Sequence, residues 1–255
     1  MQYTLKKSLG QHFLKDEHVI RKIIAALQLQ LSLTGIRQLL EVGPGAGALT
    51  MHLLQLSDID LKAVELDEEK VQYLEKKFPA LTGRIIHQDF LDTVPAFENE
   101  FIVIGNFPYN ISSQILFKIL DWKTQVPITI GMFQKEVAVR IAAKPGNKDY
   151  GILSVLVQAF YTVNYLFDVS PGCFNPPPKV MSGMIQLKRK DSVCEMRSQK
   201  AFFNLVKTAF NQRRKMLRNA VKSLFLEEVL ADSIFTKRAE QLSVEDFAAL
   251  TFRMK

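Results

Sequence analysis

Hydrophobic and polar positions in the first two thirds of the chain form two kinds of alternating segment. Short apolar runs, typical of buried strands, are followed by stretches whose apolar residues recur every three or four positions, typical of helices. The apolar runs lie at residues 38–42, 61–65, 84–87, 101–104, 127–132 and 180–187. Because strands that alternate with helices build parallel sheets, the pattern predicts an α/β fold with helices on both faces of a parallel sheet.

The pattern changes after Arg189, where only helical periodicity remains. We therefore predict an α/β domain at residues 1–189 and a small all-α domain at residues 190–255. The longest helix of the second domain is predicted at about 201–225, with one apolar and one mostly basic stripe. Arg213 falls on the apolar side, so it requires a partner or a place at a domain edge. The basic stripe consists of Lys207, Asn211, Arg214, Lys215, Arg218 and Lys222.

Charge is distributed unevenly along the chain. The 255 residues carry a net charge of +7. Residues 179–222 contain 12 Lys and Arg against 2 Asp and Glu, which is +10, and the remaining residues, with 21 against 24, are at −3. A basic segment beside a mildly acidic body indicates a surface that binds a polyanion, and a solvated lysine-rich surface is the alternative.

Composition excludes several classes of protein. Hydrophobic residues make up 47% of the chain, yet no apolar run approaches the roughly 18–20 residues of a membrane span. Residues 1–7 lack the apolar core of a signal peptide, and Cys173 and Cys194 are too few for a disulfide framework or a zinc site. We therefore expect a cytoplasmic protein with two reduced thiols, without a metal site and without membrane association.

A glycine-rich turn lies between the first predicted strand and the helix that follows it. Gly43 and Gly45 permit a tight turn and close approach of the backbone to a ligand, and the helix N-terminus offers free N–H groups. A NAD enzyme is open at this point, because the glycine spacing fits a dinucleotide site and Glu65 lies 20 residues beyond Gly45. A Walker loop is excluded, since no Gly-Lys-Ser/Thr follows the glycines.

Four predicted strands each deliver a polar side chain at the carboxyl end, where ligands bind in such sheets. These side chains are Glu41, Glu65, Asp89 and Asn106. Glu41 can face the amino-acid or sulfonium end of S-adenosylmethionine, and Asp89 can accept a hydrogen bond from an adenine amine. Each acid singly fits a helix cap, but the four together favour S-adenosylmethionine over NAD.

The segment Asn106-Phe107-Pro108-Tyr109 suits methylation of an exocyclic amine on a flat heterocycle. The Asn106 side-chain oxygen and a nearby backbone carbonyl can accept the two N–H bonds of the amine, which favours a pyramidal nitrogen whose lone pair points at an electrophile. Tyr109 can stack on the heterocycle. The alternative is an ordinary turn at the end of a strand, with a proline and an exposed ring.

Taken in order, these motifs resemble the ribosomal RNA adenine N6-dimethyltransferase family, and within it the enzymes of the bacterial small subunit. The resemblance implies a Rossmann-like class I methyltransferase sheet, a small all-α C-terminal domain and S-adenosyl-L-methionine as the cofactor. It covers nearly the whole chain and rests on residues 7–14, 41–50, 64–67, 88–89, 106–112, 133–140, 174–180 and 210–217.

The resemblance also implies roles for single residues. Glu65 would bind the ribose hydroxyls and Asp89 the adenine amine, whereas Tyr109 and Phe174 would stack on the two faces of the target base. Phe107 replaces a leucine common in the family, with little expected effect because the family role there rests on the backbone. The catalytic residues would be Asn106, Phe107, Pro108 and Tyr109. The cofactor-binding residues would be Gln11, His12, Leu14, Glu41, Gly43, Gly45, Gly47, Glu65, Asp89 and Asn106. The RNA-binding residues would be Lys179, Lys207, Arg213, Arg214, Lys215, Arg218 and Lys222.

The implied reaction is dimethylation of N6 on two adjacent adenosines near the 3′ end of 16S rRNA, in the small ribosomal subunit or its precursor, by a monomeric enzyme. One alternative is a 23S rRNA adenine N6-methyltransferase of the macrolide-resistance type. A second is a non-catalytic RNA-binding assembly factor on the same fold. The loop at residues 176–179 and the long C-terminal domain favour the small-subunit enzyme, and intact Gly43, Glu65, Asp89 and Asn106 favour catalysis.

Overall fold

The computed structural model describes residues 12–255, so the predicted role of Gln11 lies outside the described residues. The strands are β1 Phe13–Leu14, β2 Gln38–Val42, β3 Asp60–Glu65, β4 Ile85–His87, β5 Ile102–Asn106, β6 Ile128–Gln134, β7 Tyr161–Val169, β8 Phe174–Asn175 and β9 Ser182–Arg189. The helices are α1 Glu17–Thr34, α2 Thr50–Leu53, α3 Glu68–Lys77, α4 Ser112–Asp121, α5 Lys135–Ala142, α6 Ile152–Phe160, α7 Gln199–Asn211, α8 Leu217–Val221, α9 Glu227–Leu230 and α10 Val244–Leu250.

Within residues 12–255, seven strands form one sheet in the order β4-β3-β2-β5-β6-β9-β7. The five strands from β4 to β6 in this order are parallel to their neighbours, whereas β9 runs antiparallel to β6. The α/β fold class is confirmed, and the predicted parallel pairing holds from β4 to β6 but not for β9. A short antiparallel pair, β1 with β8, lies outside this sheet.

The central strands are buried on both faces, which explains their continuous apolar sequences. Leu39 and Ile104 belong to one core cluster together with Ile20, Ile23 and Leu27 of α1. Residues next to them in β2 and β5 point to the opposite face, because side chains alternate along a strand. The sheet therefore has covered faces and exposes its strand ends, where the turns carry the polar residues.

Helix α6 and strand β7 are the longest of the elements that the sequence did not predict. The helix leads into the strand at Tyr161, whose backbone is already extended at φ −126° and ψ 143°. The residues at this junction are apolar or aromatic, and the turn signals that mark element boundaries, such as Gly, Pro and Asn, are absent from it. Apolar periodicity alone could not separate a buried helix from the buried strand that continues it.

The long helix predicted at 201–225 is wrong, because the structure divides this segment into α7 and α8. Gln212 leaves the helical region at φ −123° and ψ 49°. The N–H of Leu217 then donates to the carbonyl of Lys237, at 2.8 Å, instead of the carbonyl four residues earlier. The basic stripe is therefore shared between α7, the loop 212–216 and α8.

Two compact units make up the fold, and the second is not continuous in sequence. The first unit includes the described residues up to Ala138 and Asn164–Arg189, and the second comprises Val139–Val163 and Lys190–Lys255. Residues 139–163 thus group with the C-terminal helices, because α6 packs against α7 and α10. The division into domains at 1–189 and 190–255 stays a prediction. No helix of the described chain combines the length and apolar character that a membrane span requires.

Candidate functional site

A pocket in the first unit lies at the carboxyl ends of β2, β3 and β5. Its walls include most of the residues that the sequence singled out for cofactor and base. These are His12, Leu14, Glu41, Gly43, Gly45, Glu65, Asp89, Asn106, Phe107, Pro108 and Tyr109. Because parallel strands end at one edge of the sheet, residues far apart in the chain converge here.

The glycine turn is held in a conformation that other residues adopt with strain. Gly43 and Gly45 have φ values of +69° and +57°. A Cβ at Gly45 would lie 2.7 Å from the ring of Phe13, which covers the turn. Gly47 also has a positive φ of +82°, but its missing Cβ makes room for the ring of Phe78 rather than for a ligand. Gly43 and Gly45 therefore line the pocket, and Gly47 allows the turn to pack.

Glu65 ties the glycine turn to the end of β3. One carboxylate oxygen accepts the N–H of Gly45 at 3.1 Å, and the other accepts the N–H of Asp67 at 3.0 Å. Burial raises the pKa of Glu65, while these two backbone hydrogen bonds act in the opposite direction. The side chain is therefore a fixed acceptor on the pocket wall, suited to hydroxyl donors of a ligand.

Glu41 is a second buried carboxyl in the pocket, only 1% exposed. Thr50 donates its hydroxyl to the Glu41 carboxylate at 2.7 Å. Burial raises the pKa of Glu41 to about 7, and the nearby charge of Glu65 adds to the increase. A positively charged group bound in the pocket would favour the ionised form of Glu41 and would be attracted by it.

Asp89 lies half-buried at the edge of the pocket, after β4. One of its oxygens accepts the N–H of Leu91 at 2.9 Å, which caps the 3₁₀ turn Phe90–Asp92. A carboxylate has two acceptor oxygens, so this cap leaves acceptor capacity for an amine. The helix-cap alternative and the ligand-binding interpretation of Asp89 are thus compatible.

Asn106 ends β5 with its amide group in a defined orientation. The amide nitrogen donates to the backbone carbonyl of His12 at 2.8 Å. This bond fixes the orientation of the amide group. The nitrogen faces the His12 carbonyl, and the side-chain oxygen stays available as an acceptor. The arrangement meets the requirement for an oxygen that can accept the N–H of an exocyclic amine.

Tyr109 is half-buried beside the ring of His12, with ring centroids 5.6 Å apart and an angle of 30° between the planes. Its hydroxyl lies 2.5 Å from the hydroxyl of Ser182. The imidazole Nδ1 of His12 lies 2.9 Å from the carbonyl oxygen of Pro176. Burial raises the pKa of Tyr109, so the phenol stays protonated at neutral pH.

Phe107 and Phe174 are packing residues in this structure. Phe107 is buried against Phe133, edge to face at 5.2 Å, over the side-chain-free positions Gly105 and Gly131. Phe174 is 1% exposed and belongs to the core cluster that includes Leu14, its partner in the β1–β8 pair. The structure therefore does not offer the Phe174 ring to a base, which corrects the expectation from sequence.

Among the apolar residues of the pocket that the sequence did not single out, two lie next to its acidic residues. Leu66 lines the pocket and is 48% exposed, although it is large and apolar. Phe90 is buried and lines the pocket next to Asp89. The position of each directly after a predicted acidic residue was the available signal. Together they provide apolar walls of the kind that a flat adenine ring contacts.

The predicted RNA-binding residues differ in their accessibility. In the second unit, exposed basic side chains lie along α7, the loop 212–216 and α8, and in the first unit Lys179 is exposed. Arg213 instead pairs with Glu240, Nε to Oε2 at 2.6 Å, and donates to the carbonyl of Lys148. Arg213 therefore has the partner that its apolar position required, and it is not a free phosphate ligand in this structure. Among the predicted RNA-binding residues of the second unit, the exposed ones are Lys207, Arg214, Lys215, Arg218 and Lys222.

S-adenosylmethionine fits the chemistry of the pocket. Gly43 and Gly45 line the pocket without side chains of their own, and Glu65 and Asp89 are acceptors for hydroxyl and amine donors. Glu41 is a buried carboxyl suited to a cationic group, and Leu66 and Phe90 are apolar.

The chain is similar to known proteins along almost its entire length. Residues 2–254 match the family model described as ribosomal RNA adenine dimethylase. Ribosomal RNA small subunit methyltransferase A of Cytophaga hutchinsonii is 51% identical over 249 residues, which cover 96% of this chain and 95% of the relative. A solved dimethyladenosine transferase from Plasmodium falciparum superposes with a TM-score of 0.75 at 26% identity, covering 92% of this chain and 94% of that one. The 23S rRNA methyltransferase ErmE, at a TM-score of 0.68 and 21% identity over 93% of this chain and 99% of its own, has the same fold.

Proposed function

Because the chain belongs to the ribosomal RNA adenine dimethylase family, we propose that it transfers methyl groups to N6 of two adjacent adenosines near the 3′ end of 16S rRNA. It is an S-adenosylmethionine-dependent rRNA adenine dimethyltransferase. The observation that carries the choice of site is the convergence of Glu41, Glu65, Asp89 and Asn106 on one pocket, with Tyr109 on its wall.

Bound S-adenosylmethionine supplies an electrophilic methyl group on a positively charged sulfonium. The chain's own residues hold and orient it. Glu65 would accept the ribose hydroxyls, Asp89 would accept the adenine amine, and Leu66 and Phe90 would contact the adenine ring. Glu41 would counter the positive charge of the ligand from its buried position behind Gly43.

Asn106 would orient the target amine. Its side-chain oxygen accepts one N–H of N6, and a backbone carbonyl of the same segment accepts the other. Held this way, the nitrogen becomes pyramidal and its lone pair points along the line of displacement. The hydrogen bond from the Asn106 amide nitrogen to His12 supports this role, because it fixes which amide atom faces away from His12.

Tyr109 would stack on the adenine and fix its plane. The nitrogen loses a proton easily once it carries a fourth bond, so positioning contributes more to the rate than a strong base. The exposed basic residues of the second unit and Lys179 would contact RNA phosphates, which fixes register without reading sequence.

The macrolide-resistance alternative is not favoured. The relative that is 51% identical is named for the small subunit, whereas the likeness to the 23S rRNA enzyme extends to the fold alone. A non-catalytic factor would have no need for an intact set of acceptors in the pocket. An additional role in subunit assembly is compatible with catalysis.

Methyl transfer from labelled S-adenosylmethionine to small ribosomal subunits that lack the modification tests the proposal. Nucleoside analysis should find N6,N6-dimethyladenosine at two adjacent positions near the 3′ end of 16S rRNA. Transfer to 23S rRNA instead would support the resistance-type activity. RNA binding without transfer to either substrate would identify a binding factor. Large subunits from the same cells are the matched control substrate.

A further inference from the structure

A hydrogen bond joins the pocket motif to the start of β9, two strands along the sheet from β5. The hydroxyl oxygens of Tyr109 and Ser182 are 2.5 Å apart, although the residues are 73 positions apart in sequence. Ser182 is 0% exposed and begins β9, whereas Tyr109 lies half-buried on the loop after β5. Neither the sequence motifs nor the proposed reaction assigns a role to Ser182.

The position of Ser182 is fixed from both sides. It pairs with Gln134 at the end of the antiparallel β6–β9 ladder, and the residue before it, Met181, accepts the N–H of Lys135 at 2.9 Å. On the other side, a Cβ at Gly183 would lie 2.5 Å from the hydroxyl of Tyr165. Ser182 therefore presents its hydroxyl from a backbone that is held in the β6–β9 ladder.

The Tyr109 ring is in this way restrained at two points. Its hydroxyl is held by Ser182, and its ring packs beside His12, which is itself linked to the carbonyl of Pro176. A tyrosine on a loop must otherwise lose its side-chain freedom when a base stacks on it, and such ordering reduces affinity or rate. A side chain already held in the stacking orientation avoids this cost.

We propose that Ser182 is a positioning residue that holds the Tyr109 ring, through their hydrogen bond, in the orientation required to stack on the target adenine. The inference rests on the proposed function, since it assumes that Tyr109 contacts the base. Ser182 acts only through the phenol of Tyr109 and does not touch substrate itself.

A double-mutant cycle on transfer to small-subunit rRNA tests the proposal. Ser182→Ala and Tyr109→Phe each remove one partner of the bond and should each lower kcat by about 5–10-fold, the effect of one neutral hydrogen bond. The double variant should fall no further than either single variant, within about twofold, because the second change removes nothing new. The KM for S-adenosylmethionine should change by less than about twofold in all three.

Thr129→Val is the matched control. Thr129 lies on β6 in the same strand pair and is 1% exposed, and its hydroxyl has no hydrogen-bond partner among residues 12–255. Removing this hydroxyl should leave kcat within about twofold of the unchanged protein. A fall equal to that of Ser182→Ala would mean that any change in this ladder disturbs the site, and it would overturn a specific role for Ser182.

A measurement that does not depend on activity separates the positioning role of Ser182 from the proposed methyl transfer. In protein labelled with ¹³C-tyrosine, the six tyrosines give ring signals, and Tyr109→Phe identifies the one from Tyr109. Ser182→Ala should shift and broaden the Tyr109 signals and leave those of the other tyrosines unchanged. The positioning role would be overturned if the Tyr109 signals stayed unchanged. It would also be overturned if the loss of kcat in the double variant equalled the product of the two single losses. Absence of any transfer by the unchanged protein would overturn the proposed function instead.

Discussion

Asn106 is the single residue on which the proposed chemistry depends most. Asn106→Ala removes both the acceptor for the target amine and the bond to the His12 carbonyl. We expect kcat to fall on the order of 10²–10³-fold, by analogy with loss of one donor from an oxyanion hole. The measurement is single-turnover methyl transfer to small subunits with saturating cofactor.

Asn164→Ala provides the matched control for Asn106→Ala. Asn164 also donates an amide hydrogen bond within the first unit, to Gln186 at 3.0 Å, but it lies outside the pocket. Its replacement should leave turnover within about twofold, because no contact to substrate is lost. Turnover of Asn106→Ala within about threefold of the unchanged protein would contradict the role of Asn106.

At the residue scale, the sequence predicted the pocket well where position along a strand decides function. Glu41, Glu65, Asp89 and Asn106 lie at or just after the carboxyl ends of predicted strands, and the topology of a parallel sheet brings these ends together. Phe174 could not be predicted in the same way, because its burial depends on a pairing between β1 and β8 across more than 150 residues. Such tertiary contacts leave no local signal in an aromatic residue.

The ring of Phe107 packs against the central strands β5 and β6 at Gly105 and Gly131. A Cβ added at Gly131 would lie 2.3 Å from the Phe107 ring. Gly131→Ala should therefore lower the free energy of unfolding by about 1–3 kcal/mol, the usual cost of overpacking. In a Phe107→Leu background the cost should fall by at least about half, because the smaller side chain can move away. Urea unfolding of the four proteins gives both values.

Gly151→Ala is the control for the glycine prediction. Gly151 has extended backbone at φ −161°, and no atom lies within 4 Å of the position of its Cβ. The change should lower the free energy of unfolding by no more than about 1 kcal/mol, the cost of Ala in place of Gly at the N-cap of α6. If Gly131→Ala lowered the free energy of unfolding equally with Phe and with Leu at position 107, the Phe107 ring would not be the cause of the overpacking.

The break between α7 and α8 separates two kinds of arginine that are adjacent in sequence. Arg213 bonds to Glu240 and to the Lys148 carbonyl, whereas Arg214 and Lys215 are exposed. Arg214→Ala and Lys215→Ala should each weaken RNA binding and reduce the slope of log affinity against log salt by roughly 0.7–0.9. Binding measured between low and moderate salt tests this expectation.

Arg213→Ala should instead act on stability. Its partly exposed ion pair and its bond to a carbonyl together contribute on the order of 1 kcal/mol, after allowance for solvent screening. The salt slope of RNA binding should stay unchanged, and the urea midpoint should fall. A reduced salt slope in Arg213→Ala, or an unchanged slope in both Arg214→Ala and Lys215→Ala, would contradict this division of roles.

At the scale of the whole molecule, the sequence predicted the order of the elements better than their grouping into compact units. Strands β2 to β6 and the helices between them follow from alternating periodicity, since each strand is separated from the next by a polar turn. The grouping of residues 139–163 with the C-terminal helices could not be predicted, because it depends on the packing of α6 on α7 and α10. The continuous periodicity of 201–225 also hid a loop that a contact to Lys237 stabilises.

The pH dependence of the whole protein's stability offers a test of the buried carboxyl in the pocket. Burial raises the pKa of Glu41 from 4.5 to about 7, so the folded state holds this proton more tightly than the unfolded state. Below about pH 4.5 Glu41 is protonated in both states and does not lower the free energy of unfolding. As pH rises from there to about 7, ionisation of Glu41 lowers the free energy of unfolding by an amount that reaches on the order of 3 kcal/mol. Glu41→Gln should therefore be more stable than the unchanged protein at pH 8, and the difference should disappear as pH falls below about 4.5.

The bound cofactor should reverse this penalty, because a positive charge near Glu41 favours the ionised carboxylate. S-adenosylmethionine should bind more tightly at pH 8 than at pH 6, whereas S-adenosylhomocysteine, which lacks the sulfonium charge, should show a smaller change. In Glu41→Gln the pH dependence of both ligands should become similar. Calorimetric titrations of the two ligands at pH 6 and pH 8 measure the difference. Equal pH dependence of both ligands in the unchanged protein would place the sulfonium away from Glu41 and would leave Glu41 to bind the cationic α-amino group, which both ligands carry.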